Sequence, residues 1–116
     1  EFIVSDLFAQ IDQTDFDVIV TNLPYIPVER IAYLDSSVKD YEPFVALDGG
    51  QDGFELYRQT FNQINQKGIK FKLFLGEIDY THGEIAALES KKSFPDSEVE
   101  LRFDLFHRQR ILVIKH

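Results

Sequence analysis

Phe16-Asp17-Val18-Ile19-Val20-Thr21-Asn22-Leu23-Pro24-Tyr25 joins an apolar run to a proline-stiffened polar end, and the architecture to be expected follows from that join. The first six residues are a nearly continuous β-branched run, too short for a buried helix, and predict a parallel strand covered on both faces. Pro24 and Pro27 cannot donate to a ladder and push the residues before them out of helical space. A loop is therefore expected at the carboxyl end of the strand, where open parallel sheets bind their ligands.

Downstream, residues 28 to 51 hold no sustained period and contain Pro43 and Gly49-Gly50, which predicts a long ordered loop with one helical turn near Glu29 to Leu34. Asp52-Gly53-Phe54-Glu55 reads as a capping box. It opens an amphipathic helix with Phe54, Tyr57, Phe61 and Ile64 on the core side and Lys67-Gly68 at its end. Ile69 to Ile78 reads as a second buried strand, and Thr81-His82-Gly83-Glu84 as a second capping box ahead of a helix bearing Ile85 and Leu88. After Pro95, Val99, Leu101, Phe103 and Leu105 alternate with charged residues, and a turn at Phe106 to Gln109 leads into Ile111-Leu112-Val113-Ile114 as an antiparallel hairpin. The expected fold class is α/β, a mostly parallel sheet ending in an antiparallel hairpin, in a single unit over 1–116.

Composition narrows the function. With 116 residues the chain has room for one modest core. It contains no run of about 18 apolar residues and no secretory signal pattern, so a cytoplasmic protein away from membranes is expected. Zero cysteines exclude disulfides and thiolate metal sites, His82 and His107 have no partners at metal spacing, and no metal is expected. The formal charge of -8 disfavours nucleic acid as a partner. Because the chain opens at Glu1 directly into Phe2-Ile3-Val4, it reads as a piece of something longer.

The chemistry concentrates at the strand end. Asn22 offers a side-chain oxygen, Leu23 a carbonyl, Pro24 a stiffened turn and Tyr25 a flat face, which together make a clamp for a planar, nitrogen-bearing group. Two acceptors aimed at the hydrogens of an amide nitrogen would orient it and favour charge build-up there during attack on a methyl donor. The same four residues also read as an ordinary strand-ending turn, and Asp6 as a turn cap.

The ten residues quoted first resemble the Asn-Pro-Pro-Tyr strand end of amino-group methyltransferases. Together with Val38-Lys39-Asp40-Tyr41-Glu42-Pro43, Ala46-Leu47-Asp48-Gly49-Gly50 and Asp52-Gly53-Phe54-Glu55-Leu56-Tyr57-Arg58, the chain is similar to the HemK/PrmC family of glutamine N5-methyltransferases. The likeness continues through Glu77-Ile78, Asp104-Leu105 and Arg110 to Val113. That resemblance implies a Rossmann-like fold of class I, S-adenosylmethionine (AdoMet) as cofactor, and the glutamine of a Gly-Gly-Gln motif in peptide-chain release factors as substrate. It implies that Asn22 and the Leu23 carbonyl bind the substrate amide, that Pro24 and Tyr25 shape its slot, that Glu42 and Pro43 line the substrate channel, and that Asp6, Leu7 and Asn22 border AdoMet.

Leu23 stands in place of the family's first proline, and Asp79 and His82 stand where Gly and Gln are usual. No glycine-rich turn after a first strand is found in the 116 residues, so the AdoMet pocket is expected to be incomplete. The family's strand order, 3-2-1-4-5-7-6, implies that Phe2-Ile3-Val4 ends strand 3 and that the strand at 16–21 has an open edge, through which the chain would self-associate. Two alternatives remain at this stage: an rRNA adenine N6-dimethyltransferase, for which Asn-Leu-Pro-Tyr is a characteristic spelling, and a catalytically silent scaffold.

Overall fold

A computed structural model describes the backbone of residues 1–116 and every side chain except that of Lys39. The elements in chain order are β1 (Asp15–Thr21), α1 (Val28–Ile31), α2 (Ser36–Lys39), α3 (Phe44–Leu47), α4 (Glu55–Lys67), β2 (Lys70–Glu77), α5 (Gly83–Ser93), β3 (Glu98–Phe103) and β4 (Gln109–Lys115). They build one four-stranded sheet of order β1-β2-β4-β3. β1 pairs with β2 in parallel, and β4 runs antiparallel to both β2 and β3. Three strands therefore point one way although only one of the three pairings is parallel. The order reproduces 4-5-7-6 of the expected arrangement.

The stripe on α4 explains the packing. Phe54, Tyr57, Phe61 and Ile64 are all buried, and they meet Ile19, Phe74, Leu112 and Ile114 on one face of the sheet. The rings interlock, with Phe54 stacked on Tyr57 at 4.8 Å and Phe61 edge-on to Phe74 at 5.7 Å and to Phe94 at 5.2 Å. The α4 helix ends in a left-handed cap at Gly68, and the Ile69 N–H donates back to the Ile64 carbonyl at 2.9 Å.

Several expectations are corrected. β1 is covered on one face only: Ile19 is buried, whereas Val18 and Val20 are 49% and 73% exposed, because α4 and α5 pack on the same side. Phe2-Ile3-Val4 forms no strand. Phe2 and Val4 are exposed, and no neighbouring strand among the described residues takes up their backbone groups. The expected loop at 28–51 contains three single-turn helices, of which the first overlaps the predicted turn.

Neither capping box forms. Asp52 Oδ1 accepts from the Phe54 N–H at 3.0 Å, two residues on, and Glu55 reaches Arg58 at 3.4 Å. At α5 the same job falls to Asp79, whose Oδ1 accepts from the Thr81 N–H at 2.8 Å. A short Asp side chain closes an i to i+2 turn, one residue short of the i to i+3 contact that a capping box needs. On α5 the buried positions are Gly83, Ala86 and Ser90; Ile85 is half-buried against the core, and Leu88 is 66% exposed.

Candidate active site

The register of the parallel pair sets the site. Thr21 lies beside Gly76, so the next residues, Asn22 and Glu77, stand together at the carboxyl ends of β1 and β2. Asn22 is exposed, and its side chain makes no hydrogen bond among the described residues. It opens onto two clefts. One, of about 270 Å³, is lined by residues 22 to 26, Val38, Glu42, Ala46, Leu47 and Glu77. The other, of about 600 Å³, lies on the uncovered face of the sheet and is lined by Val20, Thr21, Leu75, Gly76, Glu77, Arg110 and Ile111.

Tyr25 is tied down at both ends of its side chain. The residue after it forms a short parallel bridge, Ile26 with Asp48: the Ile26 N–H donates to the Leu47 carbonyl at 3.2 Å, and the Gly49 N–H to the Ile26 carbonyl at 2.9 Å. The Tyr25 hydroxyl donates to Glu77 Oε1 at 2.9 Å, and the Arg110 guanidinium carbon lies 6.0 Å from the Tyr25 ring centroid. Burial, and next the Glu77 carboxylate that accepts its proton, push the Tyr25 phenol above its ordinary value, which keeps it a donor. Beneath, burial pushes the Tyr57 phenol up to about 12, and its hydroxyl donates to the Glu77 carbonyl at 2.5 Å.

The Gly-Gly-x-Asp-Gly run makes this approach sterically possible. A Cβ on Gly49 would lie 2.7 Å from the Tyr25 backbone, and one on Gly53 would lie 2.3 Å from the Tyr25 carbonyl oxygen and 2.6 Å from His82. Gly53 also has φ of +80°. Gly53→Ala is therefore expected to destabilise the chain by about 1–3 kcal/mol and to shift the Tyr25 amide resonance. Unchanged denaturation and an unmoved Tyr25 signal would show that the loop is not clamped there. His82, filling the space beside Gly53, is buried, and burial lowers its imidazole pKa.

Of the residues singled out from the sequence, Asn22, Leu23, Pro24, Tyr25 and Glu42 are brought to one cleft. Pro43 does not line it and instead starts α3. Asp6 and Leu7 lie elsewhere. The adjacent Phe8 N–H donates to Gln63 at 2.6 Å, and Lys67 Nζ donates to the carbonyls of Phe8 and Ala9 at 2.9 and 3.0 Å, at the end of α4 that leads into the amino end of β2. Of the three residues that the resemblance assigns to AdoMet, the described chain thus brings only Asn22 to the clefts, and the donor set present does not by itself fit the cofactor. Glu77 was not anticipated as a site residue. Its signal was the pairing of two strand ends, visible only once the register is known.

An α/β sheet that presents Asn22 to Tyr25 at the carboxyl end of an edge strand, and closes with an antiparallel hairpin in the order found, is the C-terminal part of a Rossmann-like methyltransferase domain. No protein-family model matches the chain. Curated relatives do. A release factor glutamine methyltransferase of Lactococcus lactis subsp. lactis is 34% identical over 116 residues, covering 99% of this chain and 42% of the relative. The protein of the same name from Bacillus cereus is 34% identical over 113 residues, 96% of this chain and 40% of the relative. That of Clostridium acetobutylicum is 52% identical over 101 residues, 84% of this chain and 34% of the relative. By homology the chain belongs to the release factor glutamine methyltransferase (HemK/PrmC) family, to whose C-terminal part it corresponds. It spans about two fifths of the length of the curated relatives it matches.

Proposed function

We propose that these residues form the acceptor-side portion of an AdoMet-dependent protein-glutamine N-methyltransferase acting on a peptide-chain release factor. One observation carries the reading: Asn22, exposed and unpartnered among the described residues, opens onto a cleft that Tyr25 also lines. Its side-chain oxygen and the Leu23 carbonyl supply two acceptors for the two hydrogens of a primary amide, and Pro24 and Tyr25 bound the planar group. Glu42 and Glu77 both border that cleft. Two carboxylates there weigh against a phosphodiester substrate, and hence against an RNA acceptor.

AdoMet supplies the methyl group in this chemistry. Since Asp6 and Leu7 do not join Asn22 at the clefts, the donor pocket is proposed to need the part of the family's length that these residues do not span. The proposed compartment is the cytoplasm, where a release factor would be met. No helix among the described residues is long and apolar enough to cross a membrane.

The test is methyl transfer by a polypeptide of the relatives' full length carrying these residues, offered a Gly-Gly-Gln release-factor peptide or structured RNA. Transfer to the peptide glutamine is expected. Transfer to RNA alone, or to neither, would overturn the reading. Calorimetry should show AdoMet bound by the longer polypeptide and not by the 116 residues.

Self-association is a second proposal. The outer edge of β1 has no strand partner among the described residues, and Val18 and Val20 stand exposed beside it. Sedimentation of the 116-residue chain should show a dimer or larger species, and Val20→Lys should shift it towards monomer. A monomer before substitution would contradict the proposal.

A further inference from the structure

Glu77 is the last residue of β2, Asn22 is the first beyond β1, and Glu77 borders both clefts. Its backbone is anchored in the core through the Tyr57 hydroxyl, while its carboxylate reaches out to a residue 52 positions away, accepting the Tyr25 hydroxyl at 2.9 Å. Among the described residues Glu77 forms no ion pair, so Tyr25 does not compete with a cation for that oxygen. The other side of the arrangement is also tethered. Arg110, beside the Tyr25 ring, donates to the Ile78 carbonyl at 3.3 Å and lies 3.8 Å from Asp104.

The loop frame described above fixes only the backbone of Tyr25. Gly49, Gly53 and the Ile26 bridge leave the χ angles of a half-buried phenol undetermined. A side chain on a loop, packed on one side, needs a separate directional contact to hold one orientation, and a hydrogen bond to an ionised acceptor is the stronger kind. We infer that Glu77 is a positioning residue, fixing the Tyr25 ring as a wall of the cleft onto which Asn22 opens. The inference rests on the acceptor-clamp reading, since only then does the ring's orientation bear on a reaction.

Two measurements test it. Titration of the tyrosine ring carbons by NMR on the 116-residue chain resolves the five tyrosines. Glu77→Gln should lower the midpoint of Tyr25, because the carboxylate that disfavours the phenolate is gone. An unmoved Tyr25 midpoint would overturn the contact.

In the polypeptide of the relatives' length, Glu77→Ala and Tyr25→Phe should each lower kcat roughly tenfold, the loss of one charge-assisted hydrogen bond. The double substitution should be no worse than either, and Glu77→Gln should recover most of the rate, because an amide oxygen still accepts. Losses that multiply in the double variant would show Glu77 acting independently of Tyr25 and sink the inference. If the unsubstituted polypeptide methylates no glutamine, the functional reading fails and the positioning role with it, while the titration still decides whether the contact exists.

Discussion

Asn22→Ala, in a polypeptide of the relatives' length, is expected to cut methyl transfer to a release-factor glutamine by about 10²–10³-fold, the effect of removing one preorganised hydrogen-bonding group from a reacting centre. The fold should not notice. Asn22 is exposed and lies one residue beyond β1, so truncating it opens no cavity and breaks no ladder bond. Substitutions at such positions usually stay within about 0.5 kcal/mol.

The reason for so large a catalytic effect is electronic as well as geometric. An amide nitrogen is a weak nucleophile, because its lone pair is delocalised into the carbonyl, and an acceptor on its N–H helps only if it is already in place when charge develops. The Leu23 carbonyl would remain, which is why residual activity rather than none is expected. Steady-state kinetics together with a urea midpoint check the claim. A rate within a few-fold of the parent, at unchanged stability, would remove Asn22 from the chemistry.

Phe61→Ala is expected to cost about 3–5 kcal/mol of stability, the range for deleting a buried aromatic side chain. Phe61 is 0% exposed and its ring meets those of Phe54, Tyr57, Phe74 and Phe94. Those partners come from α4, from β2 and from the segment after α5, so the cavity would sit where helices and sheet meet. Against a total stability of about 5–15 kcal/mol for a domain of ordinary size, the loss leaves the chain near unfolding. Urea denaturation should show a lower midpoint at an unchanged slope. Leu88→Ala, on the exposed side of α5, serves as the control and should move the midpoint little. Equal effects at the two positions would mean that the ring cluster is not the core.

The elements that could be read from the chain were those governed by neighbours a few residues apart. The run at 16–21 became β1 at Asp15–Thr21, the Phe54 stripe became α4, and the alternation after Pro95 became β3 and β4. β-branching, the 3.6 and 2 periods, and the backbone restrictions of proline act locally, and so they are written locally. The same holds for the Asn22 to Tyr25 segment, which announced itself by composition before any pairing was known.

Other features depend on distant partners. That Glu77 holds Tyr25 follows from a register between strands some fifty residues apart, and nothing in either neighbourhood specifies it. That Asp6 and Leu7 lie away from Asn22, and that Val18 and Val20 stand exposed while Ile19 is buried, depends on which elements pack where. Even the two expected capping boxes turned on Asp52 and Asp79, each of which accepts the backbone N–H two residues on. Short-range sterics and periodicity set the strands, the main helices and the chemistry offered at one strand end, so these are written in the order of the residues. Which side chains meet around that end follows from the folded arrangement, because burial, register and hydrogen-bond competition are settled only when remote segments share one surface.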